Sequence, residues 1–399
     1  MKSSGLYLAI FSFVMLTCAC EKVIRDEPLV EDLSRLLEEQ FSSYSNSFTN
    51  DIGVALVIRD AQGVEFGQFG FDKPYTVNTL HRAASTTKTF TGAAIMKLYQ
   101  EGKLDIDDVI TNLIPGMDEP YIPDEESYDI PHKNAITIRK LLQHRAGVFD
   151  LSNQAVPDSV DAVYAGAFYF DYIKEMKGSN YSFTKEELVA PVAKHKLSYF
   201  APGTGFHYSN TGFVLLGIIV ERVSGLSLNE YLQESFLAPL DLDQTRFAIT
   251  GVDAPEAPTM DNYLLIDGTE SPSGFDNLSS AQAEGNIITS LNDLSVWAYR
   301  LYGTSEILDS EMVNQMTNVT ETGDWVGNYG LATTAFPLEL GVGHDGAHQG
   351  FMTIMRYHAP TKSAYVAVTN MLDVDDFGSQ VATMLGVIEA GISYRESKQ

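Results

Sequence analysis

"FMTIMRYHAPTKSAYVAVTNML", residues 351–372, reads as two apolar strands around a turn at Ala359–Lys362. A matching hairpin stands near the other end of the chain. In "GVALVIRDAQGVEFGQFG", residues 53–70, Val54, Leu56 and Ile58 alternate, the turn falls at Asp60–Gly63, and a second strand follows. Each hairpin has a helix beside it. Leu29, Leu33, Leu36, Leu37 and Phe41 recur at helical spacing, and a last helix is predicted from about Phe377 to Ala390. A further helix is predicted over Ser85–Gln100, with Phe90, Ala94, Ile95 and Leu98 as its buried face and Gly102 as its stop. Strands at both ends and a helical, irregular middle predict an α/β (α+β) fold. Its central antiparallel sheet is built from both termini and flanked by helices, and a mostly helical domain is inserted. The expected boundaries are 28–105 and 285–395 for the sheet domain and 106–284 for the insert. "DAPEAPTMDN" and "SPSGFDNLSS" are expected to be loops over a cleft.

The 399 residues carry 26 Lys plus Arg against 53 Asp plus Glu, a net charge of −27. Phosphate would be repelled, so nucleic acid is not expected as a partner. Lys2, the apolar run Leu6–Leu16 and "TCACEK" have the order of an export signal, and the run is too short to span a bilayer comfortably. The chain has two cysteines, Cys18 and Cys20, and both end that run, so no disulfide framework is available downstream. Residues 1–20 are therefore expected to be a signal peptide with a lipoprotein-type processing site. Cys20, after the small Ala19, is the expected lipidation site. The protein would be exported, to the periplasm or outer membrane, and would meet the membrane through its lipid anchor only.

Three short motifs carry chemistry. In "HRAASTTKTF", Ser85 and Lys88 are three residues apart, which on a helix places the amine on the hydroxyl's face. A buried lysine loses proton affinity and could help take the serine proton, while helix-start N–H groups could hold an oxyanion. The plain alternative is a capping serine and a solvated lysine. Ser182 and Lys185 repeat the spacing in a polar stretch. The second motif is Tyr208-Ser209-Asn210, before the apolar helix of "GFVLLGIIVERVSG". A phenol can relay a proton, and an asparagine amide suits a substrate amide; a helix-entry turn is the alternative. Tyr44-Ser45-Asn46 is its decoy. The third motif is "GVGHDGAHQGFMTIM", residues 341–355. His344 and His348 could hold a metal on a helix, but the glycines among them make a helix improbable and no metal is expected. An edge strand stripped of bulk, along which a substrate backbone lies with His344 facing the cleft, is the preferred reading.

The order Ser-x-x-Lys, Tyr-x-Asn, His-x-Gly resembles the penicillin-recognising serine hydrolases, which include D-Ala-D-Ala carboxypeptidases, class C β-lactamases and related esterases. "PGTGFHYSNTGFVLLG", "ITIRKLLQHRAGV", "AEGNIITSLNDLSVWA" and "GHDGAHQGF" extend the resemblance over roughly residues 35–390. It implies Ser85 as nucleophile, Lys88 as its activating amine and Tyr208 as general acid/base. It also implies Asn210 as a ligand for a substrate amide, and His344 with Gly346 as a binding strand. The Ser85 and Ala347 N–H groups would form the oxyanion hole. The chain has His-x-Gly where most β-lactamases of the group have Lys-Thr-Gly or Lys-Ser-Gly, and the group that would bind a substrate carboxylate is not identified. The implied activity is a cofactor-free serine hydrolase acting on a peptide ending in a D-amino acid. A small ester or β-lactam is the second choice as substrate, and a non-catalytic binding protein on the same fold is the alternative of another class.

Overall fold

The computed structural model describes residues 29–253, 259–274 and 277–398; the export segment with Cys18 and Cys20 lies outside the described residues. Both terminal hairpins form as the alternation predicts. Helix α1 (Glu31–Ser45) leads into β1 (Val54–Asp60) and β2 (Gly63–Phe69). At the far end come β5 (Val342–His348), β6 (Phe351–His358) and β7 (Ser363–Thr369), then α5 (Phe377–Glu396). They make one antiparallel sheet in the order β5-β6-β7-β1-β2. The two chain ends meet at its centre, where Val54 pairs with Thr369 and Leu56 with Ala367.

Side chains of successive strand residues point to opposite faces, so the sheet divides its own residues between two cores. Leu56, Ile58, Tyr365 and Ala367 pack with Leu33, Leu37 and Phe41 of α1 and with Met384 and Ile388 of α5. Ala55, Val57, Val366 and Val368 face the opposite way, into the core that the sheet shares with the rest of the chain. There lies α2 (Thr87–Gln100), with α3 (Asn210–Ser224) and α4 (Leu291–Gly303). Trp297 of α4 stacks on Phe90 of α2 at 3.8 Å between ring centroids and donates from its indole nitrogen to Thr89 Oγ1 at 2.8 Å. Truncating such a side chain typically costs about 3–5 kcal/mol. This pair fixes α2, and with it the Ser-x-x-Lys motif, against the body of the protein.

Two details differ from expectation. The first is that α2 begins at Thr87, because Ser85 and Thr86 occupy the turn between it and β3 (Leu80–Ala84). The second is that the insert is not free of strands: Tyr263–Ile266 and Thr269–Pro272 form a hairpin between the two expected loops and pair with Met371–Asp373. Their alternation is too short to stand out in sequence, and the pairing partner is remote.

Candidate active site

The site begins with a strained turn. Ala84 has φ +48°, a left-handed conformation that a residue bearing a Cβ adopts at a cost. It ends β3, which pairs with β4 (Ile287–Ser290), and turns the next residue outward. Ser85 is the one residue between 81 and 90 that is not buried. Lys88, one helical turn on, has no exposed surface at all. Its ammonium donates to Ser85 Oγ at 3.1 Å, to the Glu284 backbone carbonyl at 2.8 Å and to Glu284 Oε2 at 3.1 Å. Tyr208 comes from the segment just before α3; the Lys88 Nζ lies 4.8 Å from its ring centroid, and both Lys88 and Ser85 act on its phenol. Three segments remote in sequence thus meet around Lys88: its own, which carries Ser85, the one with Tyr208 and the one with Glu284.

The charges follow from the surroundings. Burial alone pulls the Lys88 ammonium down; the Glu284 carboxylate opposes this by charge and hydrogen bond, Tyr208 adds to it when ionised, and the lysine lies above its ordinary range. The expectation that burial would make Lys88 a free amine is therefore corrected: its N–H groups are all engaged and it rests as a cation. Burial raises the Tyr208 phenol, against the opposing pull of Lys88, so it rests protonated. The Glu284 carboxylate balances Lys88. The sequence reading missed Glu284; an acidic residue between small ones in "AEGNIITS" is its only signal.

His344 also departs from expectation. It lies on edge strand β5 as predicted, but it is buried and both ring nitrogens are occupied. The Ser209 N–H donates to His144 Nδ1 at 3.0 Å, so the His144 proton sits on Nε2 and points to the Tyr329 hydroxyl at 3.2 Å. Tyr329 in turn donates to His344 Nε2 at 2.9 Å, and the His344 Nδ1–H donates to the Asp345 carbonyl at 2.7 Å. A backbone donor at one end and a backbone acceptor at the other fix every tautomer between them. Burial, then the nearby Lys88 charge, push the His344 imidazole down to about 3. It is a neutral strut tying β5 to the Tyr208 segment, and it offers no ring nitrogen to a ligand. Among the described residues no group of three or more His, Cys, Asp or Glu could hold a metal.

Gly346 explains the glycines. A Cβ there would lie 2.1 Å from the Ala83 carbonyl oxygen and 3.1 Å from the Ser85 nitrogen. The absent side chain lets β5 press against the serine turn, which sets the peptide after Gly346 beside the Ser85 amide. Two hollows meet at Ala347. One is lined by Tyr208 and His344, the other by Asn210 and Glu284. Asn210 is buried and its Oδ1 has no hydrogen-bond partner among the described residues. The decoys are elsewhere engaged. Ser182 Oγ accepts from the Gly251 N–H at 2.8 Å, Lys185 pairs with Glu221 at 2.6 Å, and the Tyr44 hydroxyl reaches Asp373.

A helix-covered antiparallel sheet with serine, lysine and tyrosine gathered at one edge defines the class, and the chain belongs to the beta-lactamase family, whose model matches residues 51–383. It is 26% identical over 314 residues to penicillin-binding protein 4* of Bacillus subtilis, covering 75% of this chain and 62% of that one. It is 34% identical over 205 residues to an Escherichia coli protein named "Putative D-alanyl-D-alanine carboxypeptidase", covering 48% of this chain and 42% of the relative. The matched region is thus less than two thirds of the length of either relative. D-amino acid amidase of Ochrobactrum anthropi shares the fold with a TM-score of 0.71 at 22% identity, over 92% of this chain and 100% of that one. A penicillin-binding protein homologue from Pyrococcus abyssi gives 0.63 at 25% identity, over 85% and 73%.

Proposed function

We propose that this is a serine hydrolase that works through an acyl-enzyme formed on Ser85, and that its acyl donors are peptide-like and carry a D-configured residue. The observation that carries the reading is the contact of Ser85 Oγ with a buried ammonium that is itself held by a buried carboxylate. The D-configuration is supported by the names of the relatives, which include a "Putative D-alanyl-D-alanine carboxypeptidase" and a D-amino acid amidase. Short esters are the second substrate class.

In this reading Ser85 Oγ attacks the carbonyl carbon, and the oxyanion forms against the Ser85 and Ala347 N–H groups. The serine proton moves to Lys88 Nζ as Lys88 passes one of its own to Glu284 Oε2. Lys88 stays an ammonium throughout, and the carboxylate becomes the acid. Tyr208 gives its phenolic proton to the leaving atom and is reprotonated from Glu284 through Lys88. Water repeats the sequence on the acyl ester and frees Ser85. The Asn210 amide holds the acyl half of the substrate, in the hollow opposite Tyr208.

Labelling by a fluorophosphonate probe, followed by turnover of a D-Ala-D-Ala peptide, a D-amino acid amide, a cephalosporin and a short acyl ester, tests the proposal. A wild-type chain that takes no label and turns over none of the four would refute it. We also propose that the chain is exported and anchored through Cys20, on the strength of the apolar run that ends in "CAC".

A further inference from the structure

The hollow on the Tyr208 side is where, on the reading above, the leaving group departs, because Tyr208 hands it a proton. Its walls are largely apolar: Trp325, Phe336, Met352, Phe377 and Val381 line it. Among the described residues none of its lining side chains is a lysine or arginine. Two cations approach it from behind, and each is closed off by its own carboxylate. Lys88 is paired with Glu284, with side chains 0% and 7% exposed. Arg356 is fully buried and gives both terminal nitrogens to Asp345, one of these bonds being 3.0 Å long; the same nitrogens also donate to the Phe336 and Met355 carbonyls at 3.0 Å. The guanidinium therefore has no terminal N–H left to turn toward the hollow, and its Nε, which has no partner among the described residues, is itself buried. His344 adds no charge, since its ring is neutral and both nitrogens are bonded within the protein.

A leaving group with a free carboxylate would have to desolvate against aromatic walls without a counter-charge, beside the partly exposed carboxylate of Asp345. Burying an unpaired charge is strongly unfavourable and costs far more than burying an uncharged amide or ester group. We infer that the enzyme selects substrates whose leaving group is uncharged, so that it is an amidase or esterase of peptide-like acyl donors and not a carboxypeptidase. This inference rests on the proposed acyl-enzyme reading and narrows its substrate class.

A matched pair tests it on the wild-type chain: N-acetyl-D-alanyl-D-alanine with its free carboxylate, and the same dipeptide ending in the primary amide. Cleavage of the bond between the two residues is followed by mass spectrometry, with fluorophosphonate labelling in parallel. The amidated dipeptide is expected to be cleaved with a kcat/KM at least about tenfold above that of the free acid. Labelling accompanied by a smaller ratio, or by cleavage of neither dipeptide, overturns this inference and leaves the acyl-enzyme reading standing. Absence of labelling removes both.

Discussion

Glu284 holds the Lys88 ammonium twice, through its carbonyl oxygen at 2.8 Å and through its carboxylate at 3.1 Å. The residue before it, Ala283, is left-handed at φ +67°, as Ala84 is before Ser85. Two strained turns therefore face each other across one lysine, and each aims the residue that follows it at the same nitrogen.

Removing the charge of Glu284 should disable the proton path without removing the lysine. Glu284→Gln is expected to lower kcat by about 100-fold or more, a usual size for a lost general base, and Glu284→Asp to recover part of it. The pH profile of kcat/KM is the measurement. A glutamine variant with wild-type kcat across the profile would make Glu284 a bystander.

Ser85→Ala should abolish fluorophosphonate labelling, and Ser182→Ala should leave it intact, because Ser182 is spent on the Gly251 N–H. The reverse pattern of labelling would move the nucleophile to the insert.

Gly346→Ala should leave the fold standing and damage the chemistry. The new methyl must displace either the Ala83 carbonyl or β5 itself, since the two would be 2.1 Å apart. A displacement of about 1 Å at a reacting group typically costs about 100-fold in rate. The check is kcat against Tm: an intact kcat would mean that β5 does not set the oxyanion geometry.

Protonation of His344 should register in stability and not in activity near neutrality. The folded ring takes a proton only at about 3, against 6.5 for an unperturbed histidine. Between these values the unfolded chain binds the extra proton, so this contribution is fully present above pH 6.5 and is lost as pH falls toward 3. His344→Gln should remove that slope, so wild type loses stability relative to the variant on acidification. Buried His81 and His144 act in the same direction, and buried Asp150, raised to about 7, acts in the opposite one. Comparing the two chains cancels His81 and Asp150, while His144, joined to His344 through Tyr329, responds with it. A stability difference that does not change between pH 7 and 4 would show that His344 is not held neutral.

The proposed anchor has its own test. A palmitate analogue fed to producing cells should tag the wild type and not Cys20→Ser. If Cys18→Ser alone loses the tag, the neighbouring cysteine is the processed one; if neither change matters, the signal is of the ordinary cleaved kind.

The sheet was legible because period-2 alternation in residues 53–70 and 351–372 reports burial directly. Ser85, Lys88, Tyr208 and Asn210 were legible from the order of their motifs and the apolar helices that follow. The charge state of the site was not. It depends on Glu284, which reaches Lys88 across the fold and belongs to none of the three motifs. The state of His344 was equally hidden, since Tyr329 and His144 come from separate segments and only the folded chain lines them up. A motif names a residue, while its protonation is decided by neighbours the motif does not contain.

The pairing of β1 with β7 also sets a timetable. A ribosome that has released residues 1–340 has delivered the serine, the lysine, the tyrosine and the glutamate, yet β7, the neighbour of β1 other than its hairpin partner, has not emerged. Contacts this distant in sequence close late and slowly. The strand that packs against the serine turn is made after all four of these residues, so the half-made chain carries its reactive side chains in an unassembled form. Hydrolytic competence then arises in one step, when β5 to β7 join the sheet.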